Sequence, residues 1–107
     1  MKILFDQGTP VPLRQYLPEY TVTTAYEQGW SDLANGQLLT SAEHAGYVLL
    51  MTTDQNLRYQ QQVTGRRLAI VVLRSTSWPR IRHHITAIRP VVECIAAGGY
   101  EEIEIPW

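Results

Sequence analysis

The chain has 107 residues, 45% of them hydrophobic and 18% charged, which suits one domain spanning 1-107 with a buried core and excludes a disordered chain. Its single cysteine, Cys94, excludes an intrachain disulfide and a cysteine-cluster zinc site, and a formal net charge of −1 gives no overall pull toward a polyanion. No apolar run approaches the roughly 18 residues of a membrane helix, and Asp6 falls too early for a signal-peptide core, so a cytoplasmic protein with no membrane partner is expected.

Ile3, Leu4 and Phe5 form a short apolar run that ends at Asp6, and Gly8, Pro10 and Pro12 punctuate the residues beyond it, so a strand and then a loop are expected. Pro12 is placed to open a short helix through Leu13, Tyr16 and Leu17, which Pro18 stops. Residues 20–24 are β-rich and read as a second strand, with a turn at 29–32. Leu38, Leu39, Ala42 and Ala45 recur at helical spacing, and Gly46 closes that helix. Residues 48–52 make a third strand, with an acid, Asp54, again close behind it. After a polar stretch from Arg58 to Val63 comes an unbroken apolar run over 68–73, as expected for a strand covered on both faces.

Thr76 or Ser77 can cap the next helix, whose stripe is Ile81, Ile85, Ile88, Val92 and Ile95. Pro90 lacks a backbone donor, so a kink or break is expected there. Gly98 and Gly99 end the helix, and residues 100–105 alternate as a last strand. Strands separated by helical segments imply a three-layer α/β/α domain with a mostly parallel sheet of about five strands.

The near-zero net charge is a cancellation. Residues 1–57 balance at −4, residues 58–89 at +7 and residues 90–107 at −4. The basic block is all arginine (Arg58, Arg66, Arg67, Arg74, Arg80, Arg82 and Arg89), whose planar fork suits phosphate. It reads either as a phosphate-facing surface or as a solvated face with internal ion pairs to the acidic tail.

Ligands of open α/β sheets bind beyond the carboxyl ends of the strands. If the first and third strands are neighbours, Asp6 and Asp54 converge there and repel each other unless a cation lies between them. Mg²⁺ is the natural candidate, because it accepts one or two carboxylates and keeps several waters. Aspartates at such positions also serve simply as loop or helix caps.

The segments 4–7, Gly29-Trp30, 35–39 and above all 52–65, which contains Thr52-Thr53-Asp54-Gln55-Asn56-Leu57-Arg58, resemble the short stand-alone PIN-like proteins of bacteria. Many of these carry a domain-of-unknown-function label and are read as nuclease components of toxin–antitoxin pairs. The resemblance runs from residue 2 to about residue 98. It implies a PIN-like fold and a cytoplasmic Mg²⁺- or Mn²⁺-dependent endoribonuclease, a hydrolase of phosphodiester bonds in RNA, with a short antitoxin protein as partner. Asp6 and Asp54 match the family's acids and take the metal and catalytic roles. Asp32 is a candidate third acid, one turn out of register.

Gln7 stands where the family often has Glu, and Asn35 and Gln37 stand where it has an acid, so the ion is expected to be held weakly. Arg58, Arg66 and Arg67, with Thr53 and Asn56, are the expected substrate-binding residues. A catalytically weakened module that binds RNA or a partner protein is the alternative reading. A phospho-receiver domain with Asp54 as acceptor is disfavoured by Gln7 and by the lysine-free tail. Strand edges and the terminal Trp107 favour a homodimer. His44, His83 and His84 have no metal-ligand spacing, Cys94 reads as a small core or boundary residue, and Trp30 and Trp78 read as packing under loops or base-stacking residues.

Overall fold

In the computed structural model, which describes residues 1–57 and 65–106, five strands form one parallel sheet. The strands are β1 (Lys2–Phe5), β2 (Thr21–Thr24), β3 (Leu49–Thr52), β4 (Ala69–Leu73) and β5 (Tyr100–Ile103), in the order β2-β1-β3-β4-β5. Every pairing is parallel. A 3₁₀ helix (Val11–Tyr16) links β1 to β2, and α1 (Ala25–Gln28) and α2 (Asn35–His44) link β2 to β3. From β4 the chain reaches β5 through α3 (Trp78–Arg82) and α4 (Ile85–Cys94). The expected three-layer α/β/α architecture is what the chain adopts.

Strand alternation sorts the core into two faces. Ile3, Phe5, Leu49, Met51, Ala69, Val71 and Leu73 point to one face and pack with Leu13, Ile81, Ile88 and Val92 of the 3₁₀ helix, α3 and α4. Leu4, Leu50, Ile70 and Val72 point to the other and pack with Ala25 of α1 and Leu38, Leu39 and Ala42 of α2. Strands β3 and β4 are buried along their whole length, which is why the sequence shows them as continuous apolar runs. The edges are more polar: β5 carries Glu101 and Glu102, charges that discourage further strand pairing.

One helix is not among the sequence expectations, and one expectation is corrected. Residues 25–28 form α1, held by a capping box in which Thr24 Oγ1 accepts the Glu27 N–H and the Glu27 carboxylate accepts the Thr24 N–H. In the last helical region the break comes at His83 and His84 rather than at Pro90, which lies inside α4. The exposed proline sits between the buried Ile88 and Val92, and their packing holds the helix through it. The helix bond from Ile95 N–H to Val91 O persists beyond it at 3.0 Å. The polar stretch 58–63 and Trp107 lie outside the described residues.

Candidate functional site

From β1 the chain runs outward to β2 and then crosses back to β3 on the other side of β1, so the strand order reverses between β1 and β3. In open α/β sheets this switch point leaves a crevice at the carboxyl ends of the strands. Phe5 is in register with Met51, so the next residues, Asp6 and Thr52, come side by side at that crevice. By the period of two they share the face of Leu4 and Leu50, the face that α2 covers.

Thr52 is wholly buried, and its hydroxyl joins the two acids. It donates to Asp6 Oδ2 at 2.9 Å and accepts the backbone N–H of Asp54 at 3.1 Å. Asp6 Oδ1 accepts the Gln7 N–H at 2.8 Å, and the Asp6 N–H donates to Met51 O at 2.9 Å. Asp54 Oδ1 accepts the Asn56 N–H at 3.0 Å, an Asx turn that shapes the loop after β3. Asn35, the first residue of α2, donates its side-chain amide to Asp54 Oδ2 at 3.2 Å.

Burial is the largest influence on Asp6 and raises its pKa above the usual carboxylate value. The Thr52 hydroxyl and the Gln7 N–H oppose that shift, and the negative charge of Asp54 adds to it. The two carboxylates therefore feel each other across the crevice, and each of their oxygens keeps a lone pair beyond its protein hydrogen bond.

The other predicted residues are distributed more widely. Asp32 is exposed in the turn before α2, and among the described residues no three His, Cys, Asp or Glu side chains gather into a metal-holding group, so it does not complete a triad with Asp6 and Asp54. Thr53 lies at the crevice against Gly8, and Asn56 contributes its backbone N–H. The Gln37 side chain instead accepts the Ala34 N–H at 3.3 Å and caps α2. Arg66 and Arg67 precede β4 at the opposite end of the sheet. Arg66 lies along α2, bonded to Thr40 Oγ1 and to the Glu43 carboxylate at 2.7 Å, and the Arg67 N–H donates to the same carboxylate at 2.9 Å. Arg58 lies outside the described residues.

Much of the basic block is neutralised inside the fold. Besides Arg66 with Glu43, Arg74 pairs with Glu104 at 2.8 Å, and Arg89 pairs with Glu19 and Glu93. Trp30 packs edge-on against Tyr47, and Trp78 packs against Tyr16, so both tryptophans take the packing role. Cys94 and His83 are exposed, and His84 bonds the Pro106 carbonyl oxygen at 2.6 Å.

Three features of the site take their place only in the tertiary structure. Thr52 looks like any strand residue until its register with Asp6 is known. Arg74, at the carboxyl end of β4, sends Nε to Gln55 Oε1 at 3.3 Å and so is a basic side chain tied to the loop that carries Asp54. A cleft of about 500 Å³ opens beside Asp6 between the carboxyl ends of β1 and β2. A larger cleft, about 690 Å³, lies at the amino ends of the strands near Glu43, Tyr47 and Arg67, away from both acids. No protein-family model matches the chain, and no curated protein or solved structure matches it significantly.

Proposed function

We propose that this domain is a divalent-metal-dependent ribonuclease of PIN-like type. The observation that carries this reading is the convergence of Asp6 and Asp54 on the Thr52 hydroxyl at the switch point of the sheet. The Asp6 carboxylate, held by Thr52 and the Gln7 N–H, and the Asp54 carboxylate, held by Asn35 and the Asn56 N–H, keep lone pairs to spare and fit the donor set of Mg²⁺ or Mn²⁺, which takes one or two carboxylates and retains water. When bound, the ion supplies Lewis acidity at the phosphodiester and an activated water. Asp6 and Asp54 hold it, Thr52 fixes the Asp6 carboxylate, and Asn35 fixes Asp54. Asn35 is neutral where an acid would add charge, which keeps the affinity for the ion low.

Arg74 is placed to hold the RNA backbone. Its partner Glu104 has a side chain 74% exposed, so the ion pair is weak and yields to a phosphate. The resemblance of segment 52–65 adds RNA as substrate and a short antitoxin as partner. The small number of acids supports a second reading, a module that binds RNA without cutting it.

One experiment separates the two. Purified protein is incubated with end-labelled single-stranded RNA and Mn²⁺ or Mg²⁺, with chelator and the Asp6→Asn and Asp54→Asn variants as controls. Cleavage that needs the ion and both aspartates supports the nuclease. RNA binding without cleavage supports the binder, and absence of both rejects RNA as the substrate.

A further inference from the structure

We infer that the cleft between the carboxyl ends of β1 and β2 seats one unpaired nucleobase of a single-stranded RNA against the ring of Tyr26, adjoining the scissile phosphodiester at Asp6. This assignment rests on the ribonuclease reading and adds to it a substrate form and a recognition residue.

Two of the large exposed hydrophobic side chains line this cleft. Tyr26 is 78% exposed and Val11 46% exposed, and both line the space that Asp6 also lines. Tyr16, the other aromatic side chain among the large exposed hydrophobics, has a ring partner in Trp78, whereas Tyr26 has none among the described residues. Ala25 is the residue of α1 that faces the core, and Tyr26 lies on the exposed side. An aromatic face left open at the rim of a concave site is the usual platform for a splayed-out base. A cleft of about 500 Å³ falls within the range that admits one small organic group and is too narrow for a duplex.

Arg14 and Glu27 line the cleft as an ion pair at 2.8 Å, and a neutral polar group beside them suits a nucleotide. Gln7 is exposed and lines the same cleft, and its side-chain amide has no hydrogen-bond partner among the described residues, so it offers a donor and an acceptor to a base edge or a 2′-hydroxyl. Neighbouring parallel strands lie about 4.8 Å apart, so Tyr26 beyond β2, Asp6 beyond β1, Asp54 beyond β3 and Arg74 beyond β4 form a track across the strand ends. Base recognition lies at one end of that track and phosphate recognition at the other.

The test is binding and cleavage of a fluorescein-labelled 12-nucleotide single-stranded RNA and of its blunt duplex, by wild type, Tyr26→Ala, Tyr26→Phe and Gln7→Ala. Tyr26→Ala is expected to weaken single-strand binding roughly 5- to 150-fold, the loss typical of one base–aromatic stack, with an unchanged melting temperature because the side chain is exposed. Tyr26→Phe keeps the affinity, Gln7→Ala weakens it less, and the duplex binds poorly in every case. Wild-type cleavage with Tyr26→Ala at wild-type affinity overturns the base site and leaves the nuclease standing. A wild type inert toward RNA overturns both, and tight duplex binding overturns the single-strand assignment.

Discussion

Thr52 donates its hydroxyl hydrogen to Oδ2 of Asp6 at 2.9 Å, across a pair of strands whose residues here are 46 positions apart in the chain. The same oxygen accepts the Asp54 N–H, so one buried hydroxyl sets both the carboxylate and the loop. Thr52→Val keeps the volume and removes both bonds. We expect a loss of about 1–3 kcal/mol of stability by urea unfolding, and weaker Mn²⁺ binding by calorimetry, because the carboxylate loses the donor that favours its charged form.

Asp6 carries a raised pKa chiefly because it is buried. In the pH range between its ordinary and raised values the folded chain retains a proton that the unfolded chain has released. Stability therefore falls as pH rises through that window. Asp6→Asn removes the buried charge, so its urea midpoint should exceed that of wild type at pH 7, and the difference should vanish as pH drops below the ordinary carboxylate range. Mn²⁺ should raise the melting temperature of wild type and leave that of Asp6→Asn unchanged. A variant less stable than wild type at pH 7 contradicts the burial argument.

Glu43 behaves with the opposite sign. Burial acts to raise its pKa, but bonds from the Arg66 guanidinium and from the N–H groups of Arg67 and Leu68 outweigh it, and the net pKa is lowered. The stabilisation it provides is present above the ordinary carboxylate pKa and lost as pH falls through the lowered value. Glu43→Gln should cost about 1–3 kcal/mol at pH 7 in chemical denaturation and little in acid, since protonation removes the same charge.

Gly8 has φ +89°, and a Cβ there would lie 2.8 Å from Thr53 Oγ1. Gly29 has a similar φ of +79° with nothing within 4 Å. Both Gly→Ala changes incur the left-handed backbone cost, about 1–3 kcal/mol, but only Gly8→Ala also displaces Thr53 next to Asp54. Thermal melts should show the larger loss for Gly8→Ala, and RNA cleavage should fall for that variant alone.

The sheet is legible in the sequence because its signals are local. The runs read at 3–5, 48–52 and 68–73 contain the buried strands β1, β3 and β4, and the helical spacing of Leu38, Leu39 and Ala42 is the buried face of α2. The position of the helix break is not legible in this way. Pro90 carries a strong local cost that the packing of Ile88 and Val92 offsets, while His83 and His84 carry no breaking signal. Asp6 and Asp54 stand out as acids placed just after strands, and their meeting depends on whether β1 and β3 are neighbours.

Residue types and their periods determined which segments are strands and helices and which side chains are buried, since both follow from apolarity repeating over a few positions. The tertiary structure alone decided the partners. Strand order put Thr52 beside Asp6, and the folding of distant segments onto one another gave Arg66 to Glu43, Arg74 to Glu104 and Arg89 to Glu19. The +7 block in the sequence is therefore partly spent on internal ion pairs. A parallel sheet joins residues through crossovers, so the contacts that shape its site lie tens of positions apart, beyond the reach of any local pattern.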